Sequence, residues 1–123
     1  MTAALDDLFR RFGKAFNKGD ADAIATCVTD DFEWRLNEGP APTGRIVKGR
    51  DGLKAEFARR AGLARNVRFS EARMHYAGEA IFGTFRMTGE QADGKPIDVY
   101  GIDHYVVRDG LIALKDSYSK AVG

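Results

Sequence analysis

Residues 96–119, PIDVYGIDHYVVRDGLIALKDSYS, carry the clearest structural signal in this sequence. Asp109 and Gly110 separate two runs that are rich in apolar residues. This pair is typical of a two-residue hairpin, because a type I′ turn needs positive φ at both of its central positions. The segment therefore predicts two antiparallel strands, at residues 96–107 and at residues 111–119.

Further strands precede this hairpin. Residues 79–88 have the composition of a long strand, and residues 92–95, ADGK, form a turn before the strand at residue 96. Another strand begins near Val67. The second half of the chain is thus predicted to be a meander of four antiparallel strands.

The first half of the chain predicts helices. Five apolar residues recur with the spacing of an amphipathic helix: Leu5, Leu8, Phe9, Phe12 and Phe16. Gly19 supplies a left-handed cap that ends this helix, and Asp20 can accept amide hydrogen bonds at the start of the next one. We expect Ile24, Cys27 and Val28 to form the apolar face of that short second helix.

A strand, a loop and a third helix follow. Residues 32–36 alternate between apolar and charged side chains, which is the period of a half-buried strand. Residues 37–44 contain two glycines and two prolines and are predicted to be a loop. The third helix is predicted to open at residues 50–52, with Leu53 and Phe57 on one face. Helices followed by an antiparallel sheet make an α+β fold.

Composition excludes several classes of protein. The 123 residues include 19 Lys+Arg and 18 Asp+Glu, and this balance, a net charge of +1, argues against nucleic-acid binding. No apolar run approaches the roughly 20 residues that span a bilayer, and the N-terminus does not resemble a signal peptide. The one cysteine, Cys27, cannot form an internal disulfide. We therefore expect one domain, residues 1–123, in the cytoplasm, with no membrane and no nucleic-acid partner.

The order of these elements resembles the nuclear transport factor 2-like superfamily, which includes ketosteroid isomerases, SnoaL-like polyketide cyclases and limonene epoxide hydrolase. The most specific match is residues 102–105, IDHY, followed by the Asp109-Gly110 turn. Residues 17–20, NKGD, and 49–52, GRDG, match weaker signatures. The resemblance spans residues 5–120. It implies a cone in which N-terminal helices pack on a strongly curved, mainly antiparallel sheet and enclose a pocket.

The resemblance to ketosteroid isomerase transfers only in part. That enzyme combines an Asp base with a Tyr and a protonated Asp, which donate hydrogen bonds to the oxyanion. Asp103 falls where the second acid lies. Phe12 stands where the Tyr is expected, and residues 35–37, where the base is expected, contain no carboxylate before Glu38. Steroid isomerisation by that mechanism is therefore not predicted.

The other two enzyme groups point to the last strand as well. Asp116 is similar to a late carboxylate of limonene epoxide hydrolase, but the Arg-x-Asp pair of that enzyme would fall near Thr84 and Arg86, where no Asp is present. The SnoaL-like cyclases use an acid on these strands, for which Asp103 or Asp116 could serve. The short spacing from Ile112 leaves open which way Asp116 points.

Asp103 and Arg86 are the two candidate catalytic residues. A carboxylate that faces an apolar pocket can act as a general acid or base near neutral pH, because burial disfavours its charged form. The alternative is an outward Asp103 paired with a neighbouring cation. Arg86 would bind an anion or stabilise an enolate if the Phe82 face of its strand lines the pocket, as the resemblance implies. The apolar uniformity of the opposite face, which carries Phe85, would instead place Arg86 on the surface.

Seven further residues complete the candidate pocket, and six of them are aromatic. Its expected substrate-binding residues are Trp34, Phe57, Tyr105, Tyr118, Phe82, Phe12 and Asp116. Core packing explains Trp34 and Phe57 equally well. His104 neighbours Asp103 and is expected on the opposite face of the sheet, where similar proteins often form a dimer. No His, Cys or carboxylate spacing suggests a metal site.

These observations lead to one hypothesis and one alternative. The hypothesis is a cofactor-independent enzyme that performs isomerase, cyclase or hydrolase chemistry on a small hydrophobic molecule, and that forms a homodimer. Asp103 would move the proton and Arg86 would stabilise negative charge. The alternative is a non-catalytic ligand-binding or protein-interaction domain on the same fold.

Overall fold

Residues 2–121 are described by the computed structural model, and they form three helices and six strands. In chain order these are α1 (Thr2–Lys18), α2 (Ala21–Ala25), β1 (Val28–Arg35), β2 (Ile46–Lys48), α3 (Gly49–Ala61), β3 (Ala64–Ala77), β4 (Ala80–Gln91), β5 (Pro96–Arg108) and β6 (Leu111–Ala121). The predicted order of elements is confirmed, with the three-residue β2 as an addition that the sequence did not indicate.

The six strands form one curved sheet in the order β2-β1-β6-β5-β4-β3. Neighbouring strands are antiparallel except β1 and β6, which are parallel. The pairing of β3 with β4 shifts at two points, where Asn66 and Glu71 have positive φ angles of 53° and 54°. Such bulges bend and twist a strand. The helices pack against the concave face of the sheet, so the expected α+β cone is confirmed.

The hairpin between β5 and β6 has the predicted turn. Asp109 and Gly110 have φ angles of 55° and 76°, which are the two positive values that a type I′ turn requires. All four strands of the predicted meander are present. β3 begins three residues before Val67, β4 begins one residue later than predicted, and β4, β5 and β6 end three, one and two residues beyond their predicted ends.

The first two helices join as the sequence predicts. Gly19 has a φ of 67° and ends α1, and the Asp20 carboxylate accepts a hydrogen bond of 3.1 Å from the backbone N–H of Ala23. The apolar stripe of α1 is buried in the core, where Phe12 and Phe16 contact each other with ring centroids 5.3 Å apart.

The second helix is shorter than predicted, and the expected position of Cys27 and Val28 on it is wrong. α2 ends at Ala25, and the Thr26 hydroxyl donates a hydrogen bond of 2.6 Å to the carbonyl of Ala23. Val28 already belongs to β1 and pairs with Ile112 of β6. A β-branched residue that is buried between strands packs better there than on a short helix. Cys27 is a buried free thiol, as a small core residue would be.

The helices of this fold are short or amphipathic. Among residues 2–121, no helix is both long enough and apolar enough to cross a membrane.

Candidate active site

Asp103 points into the space between the sheet and the helices. On β5, alternate residues face inward, so Gly101, Asp103 and Tyr105 share this side. Asp103 pairs with Gly83 of β4, and the side chains of Met74 and Tyr105 occupy the space over that glycine. The Asp103 side chain is only 3% exposed. The inward orientation that the resemblance implies for Asp103 is therefore present.

A β-bulge places Lys115 beside Asp103. At the turn, β6 pairs Leu111 with Arg108 and Ile112 with Val107, but the register then shifts by one residue. Beyond the shift, Lys115 pairs with Tyr105. Because a one-residue slip exchanges the two faces of a strand, Lys115 turns inward and its neighbour Asp116 turns outward.

Asp103, Lys115 and Tyr105 form a buried polar cluster. The Lys115 Nζ lies 2.7 Å from Asp103 Oδ2, and the Tyr105 hydroxyl donates a hydrogen bond of 3.2 Å to the same oxygen. Asp103 Oδ1 is buried and has no hydrogen-bond partner among residues 2–121. The two carboxylate oxygens of Asp103 therefore differ, since two donors hold Oδ2 and none of these residues donates to Oδ1.

The surroundings of Lys115 are aromatic. Its Nζ lies 5.1–6.0 Å from the centroids of four rings: Phe16, Trp34, Tyr105 and Phe85. Burial lowers the pKa of the Lys115 ammonium, and the Asp103 carboxylate offsets only part of this shift. Burial and the adjacent carboxylate together raise the pKa of the Tyr105 phenol well above its usual range, so this phenol stays protonated as a donor.

Ser117 extends the cluster towards Trp34. The Ser117 Oγ accepts hydrogen bonds from the indole N–H of Trp34 at 3.2 Å and from the Lys115 ammonium at 3.3 Å. The indole of Trp34 is thereby fixed in the wall of the site. The Lys115 ammonium is thus held by Ser117 as well as by Asp103.

Two cavities meet at Lys115. The smaller, of about 430 Å³, lies between α1 and the meander, and its wall includes Phe12, Asp103 and Tyr105. The larger, of about 990 Å³, lies towards the C-terminal end of α3, and its wall includes Trp34 and Phe57. Five residues line both cavities: Phe16, Asn17, Phe69, Phe85 and Lys115. Both volumes suit a small organic molecule.

The expected location of Arg86 in the pocket beside Asp103 is wrong. The Arg86 side chain lies on the outer face of β4, where it donates two hydrogen bonds, of 2.9 and 2.7 Å, to the Asp98 carboxylate. The guanidinium also lies over the Tyr100 ring. The inner face of β4 is the apolar one, with Phe85 packed on Gly101, and a Cβ at that glycine would come within 2.3 Å of the Phe85 ring.

Phe82 shares the outer face with Arg86, so its expected position in the pocket is also wrong. Its ring lies against His104, with the centroids 5.4 Å apart. His104 therefore faces away from Asp103, as its position on the strand predicts.

Asp116 and Tyr118 lie on the outer side of β6. The Tyr118 hydroxyl donates a hydrogen bond of 3.1 Å to Asp116, and Arg35 lies 3.9 Å from the same carboxylate. Tyr118 is 56% exposed and borders the rim of the larger cavity. Asp116 is therefore separated from Asp103 by the sheet.

A second buried carboxylate, Glu56 of α3, was missed by sequence reasoning. Its side chain is 2% exposed and accepts hydrogen bonds from Arg45, Arg59 and Arg60. Burial alone would raise the pKa of Glu56, but the three arginines lower it to about 2. Arginines three and four residues after a glutamate on a helix were the available signal. Glu38 binds Arg45 and Arg59 from outside.

Lys115 was missed as well. No local pattern in the sequence marks the extra residue in β6 that turns Lys115 inward. Among residues 2–121, no group of three or more His, Cys, Asp or Glu side chains could hold a metal ion.

Comparisons with known proteins identify a family and solved structures with the same fold. The sequence profile of the SnoaL-like domain family matches residues 9–115. A candidate polyketide cyclase from Xanthomonas campestris has a crystal structure that superposes with a TM-score of 0.81 at 21% identity, covering 94% of this chain and 90% of that one. A second candidate polyketide cyclase, from Silicibacter, gives a TM-score of 0.82 at 20% identity, with 95% and 89% coverage.

A third structure comes from Catenulispora acidiphila. It is a hypothetical protein with a ketosteroid isomerase-like fold, in complex with trimethylamine, and it superposes with a TM-score of 0.77 at 17% identity, covering 90% of this chain and 83% of that one. No curated protein matches this sequence. At these identities, the structural matches establish the fold.

Proposed function

We propose that this chain, which belongs to the SnoaL-like domain family, is a small-molecule enzyme. In this enzyme, Asp103 transfers a proton at a carbon next to a carbonyl. The substrate is a hydrophobic molecule bound in the cavity next to α1, and the reaction is of the isomerase or cyclase type. Candidate polyketide cyclases among the structural relatives support this class of chemistry.

The observation that carries the proposal is the state of the Asp103 carboxylate. Oδ2 is held by Lys115 and Tyr105, whereas Oδ1 is buried without a partner. A buried acceptor without a partner is costly in a folded protein and calls for an explanation, and a bound ligand that donates a hydrogen bond to Oδ1 would supply one. Asp103 would accept the proton through Oδ1 and return it to the substrate at a second position.

In this proposal Lys115, and not Arg86, stabilises the negative charge that develops on the substrate. Its positive charge lies within the same cavity wall as Asp103. Negative charge that develops on a carbonyl oxygen is stabilised strongly by a fixed cation in a site that excludes water. Four aromatic rings surround the Lys115 ammonium and shield it from water.

Deuterium exchange on a bicyclic ketone tests this proposal. β-Tetralone has acidic protons next to its carbonyl, and NMR in heavy water measures their exchange with and without the protein. We expect Asp103→Asn to lower the protein-dependent rate by about 10²-fold or more, the range for loss of a general base. Asp98→Asn, on the outer face of the same strand, is the matched control and should keep the rate.

Two outcomes would contradict the proposed enzymatic activity. Exchange that is equal with and without the protein, together with saturable binding of the ketone, would favour a ligand-binding domain instead. Full activity of a folded Asp103→Asn variant would remove Asp103 from the mechanism.

We further propose a homodimer formed by the outer face of the sheet. Four large apolar residues are exposed there by 40–56%: Tyr100, Ile102, Val106 and Tyr118. Contiguous exposed apolar side chains mark interaction surfaces. Light scattering should give a mass of about twice the 13.5 kDa monomer, and Ile102→Arg should reduce it to the monomer. A monomeric mass for the unaltered protein at micromolar concentration would exclude this dimer.

A further inference from the structure

We propose that the Lys115 amine is a nucleophile that forms an imine with the carbonyl carbon of an aldehyde or ketone bound in the smaller cavity. This inference rests on the proposed use of the cavity and deepens it, because it assigns a covalent mode of substrate activation to Lys115. The observations behind it are the position of Nζ, its partner and its surroundings.

The position of Lys115 suits a reacting group. It lines both cavities, yet its side chain is only 6% exposed. Lys54 is the other lysine that forms an ion pair among residues 2–121, and it differs from Lys115 because it is 49% exposed and pairs with Asp22 on the surface. A lysine becomes a nucleophile when its ammonium is desolvated in a hydrophobic pocket, and four aromatic rings desolvate this one.

Asp103 supplies the partner that such a reaction requires. With 2.7 Å between Nζ and Oδ2, the ammonium can transfer a proton directly to the carboxylate. The ion pair is the resting form of the two groups, and this transfer gives the neutral amine and the neutral acid from which the reaction starts. The lowered pKa of the Lys115 ammonium is in the direction that this transfer requires.

The reaction balances with these two residues and the carbonyl compound alone. The neutral amine attacks the carbonyl carbon, a C–N bond forms, and the carbonyl oxygen takes the proton from Asp103 to give a carbinolamine. Asp103 then removes a proton from the nitrogen and delivers it to the carbinolamine hydroxyl. That hydroxyl leaves as water, so the products are a protonated imine, the Asp103 carboxylate and one water molecule.

The imine would make the proposed proton transfer easier. A protonated imine withdraws electrons from the neighbouring carbon more strongly than a carbonyl does, and the regenerated Asp103 carboxylate lies next to it. The same carboxylate thus serves first the amine and then the carbon, and the hydrogen bond from Tyr105 keeps it oriented.

Reductive trapping tests the inference. The full-length protein is incubated with benzaldehyde and sodium cyanoborohydride at neutral pH, and digestion with mass spectrometry locates the benzyl adducts. We expect Lys115 to react at least about tenfold faster than Lys54, because a desolvated amine is a larger fraction neutral. Lys54 serves as the internal control on the same molecule.

The variant Asp103→Asn provides the second arm. It retains Lys115 but removes the proton acceptor, so we expect trapping at Lys115 to slow by about tenfold or more while Lys54 is unaffected. Circular dichroism confirms that the variant is folded. Equal or slower trapping at Lys115 relative to Lys54 in the unaltered protein would overturn the inference.

The two proposals fail in different ways. If ketone exchange depends on Asp103 but Lys115 is never trapped, the covalent step is wrong and the proton transfer stands. If Lys115 is trapped but Asp103→Asn keeps full exchange activity, the amine reacts and Asp103 is not the base.

Discussion

Removal of Lys115 should destabilise the protein more than removal of any surface charge. Asp103 and Lys115 are 3% and 6% exposed, and the loss of one partner leaves a buried charge without compensation. Such losses cost about 3–5 kcal/mol. The variant Lys115→Met has similar volume and removes the ammonium, so we expect the free energy of unfolding to fall by about this amount.

A double-mutant cycle separates charge from packing. In the variant that combines Asp103→Asn with Lys115→Met, no buried charge remains, and we expect it to be more stable than Lys115→Met alone. The coupling energy should reach about 2 kcal/mol or more, as for groups in direct contact. Urea unfolding followed by the fluorescence of Trp34, the only tryptophan, measures all four proteins, since this residue is 2% exposed in the fold.

The Lys54–Asp22 pair provides the matched cycle. Its atoms are 3.1 Å apart, close to the separation in the buried pair, but the side chains are 49% and 87% exposed. Exposed pairs contribute about 0–1 kcal/mol. If the Asp103–Lys115 coupling were no larger than that of this surface pair, the argument that both groups are charged and desolvated in the fold would be refuted.

Three other predictions concern the rest of the fold. Because the pKa of Glu56 falls from 4.5 to about 2 on folding, its contribution to the free energy of unfolding is present above pH 4.5 and is lost as pH falls towards 2. After allowance for the half-exposed arginines, urea unfolding at decreasing pH should show a loss of about 2 kcal/mol. The variant Glu56→Gln should not show this loss. Gly101→Ala should lower the urea midpoint, because its Cβ would lie 2.3 Å from Phe85. Gly13→Ala should instead raise the free energy of unfolding by about 0.5–1 kcal/mol, because no heavy atom lies within 4 Å of the new Cβ. Arg86→Ala should leave ketone exchange unchanged and alter stability by about 1 kcal/mol or less; a loss of exchange activity would show that the outer face matters for the reaction.

Much of the fold could be predicted from local signals. The Asp109-Gly110 turn, the Gly19-Asp20 break and the apolar stripe of α1 each act within a few residues, so a single sequence is enough to recognise them. β2 was not predicted because a strand of three residues is too short to show an alternation of apolar and polar side chains. Val28 was assigned to α2 because an apolar residue one turn after Ile24 fits a helix as well as a strand, and only its pairing with Ile112 settles the choice.

The candidate site was predicted where the pattern was local and missed where it was not. Asp103 was identified through the resemblance of residues 102–105, and its side chain has the inward orientation that this resemblance implies. For Arg86, the apolar opposite face of its strand was the correct signal and the resemblance was the misleading one, because the inner face of β4 packs Phe85 against Gly101. Physical patterning within this chain was more informative here than analogy to distant relatives.

The decisive feature of the site is the bulge in β6. Without the one-residue shift, the pairing of Leu111 with Arg108 would continue regularly and would set Asp116 opposite Asp103 on the inner face. Two carboxylates would then share a dry cavity, and Lys115 would point outward. With the shift, the inner face carries a carboxylate and an amine 2.7 Å apart. Because the side-chain period of a strand is two, one extra residue changes which chemistry the cavity can perform.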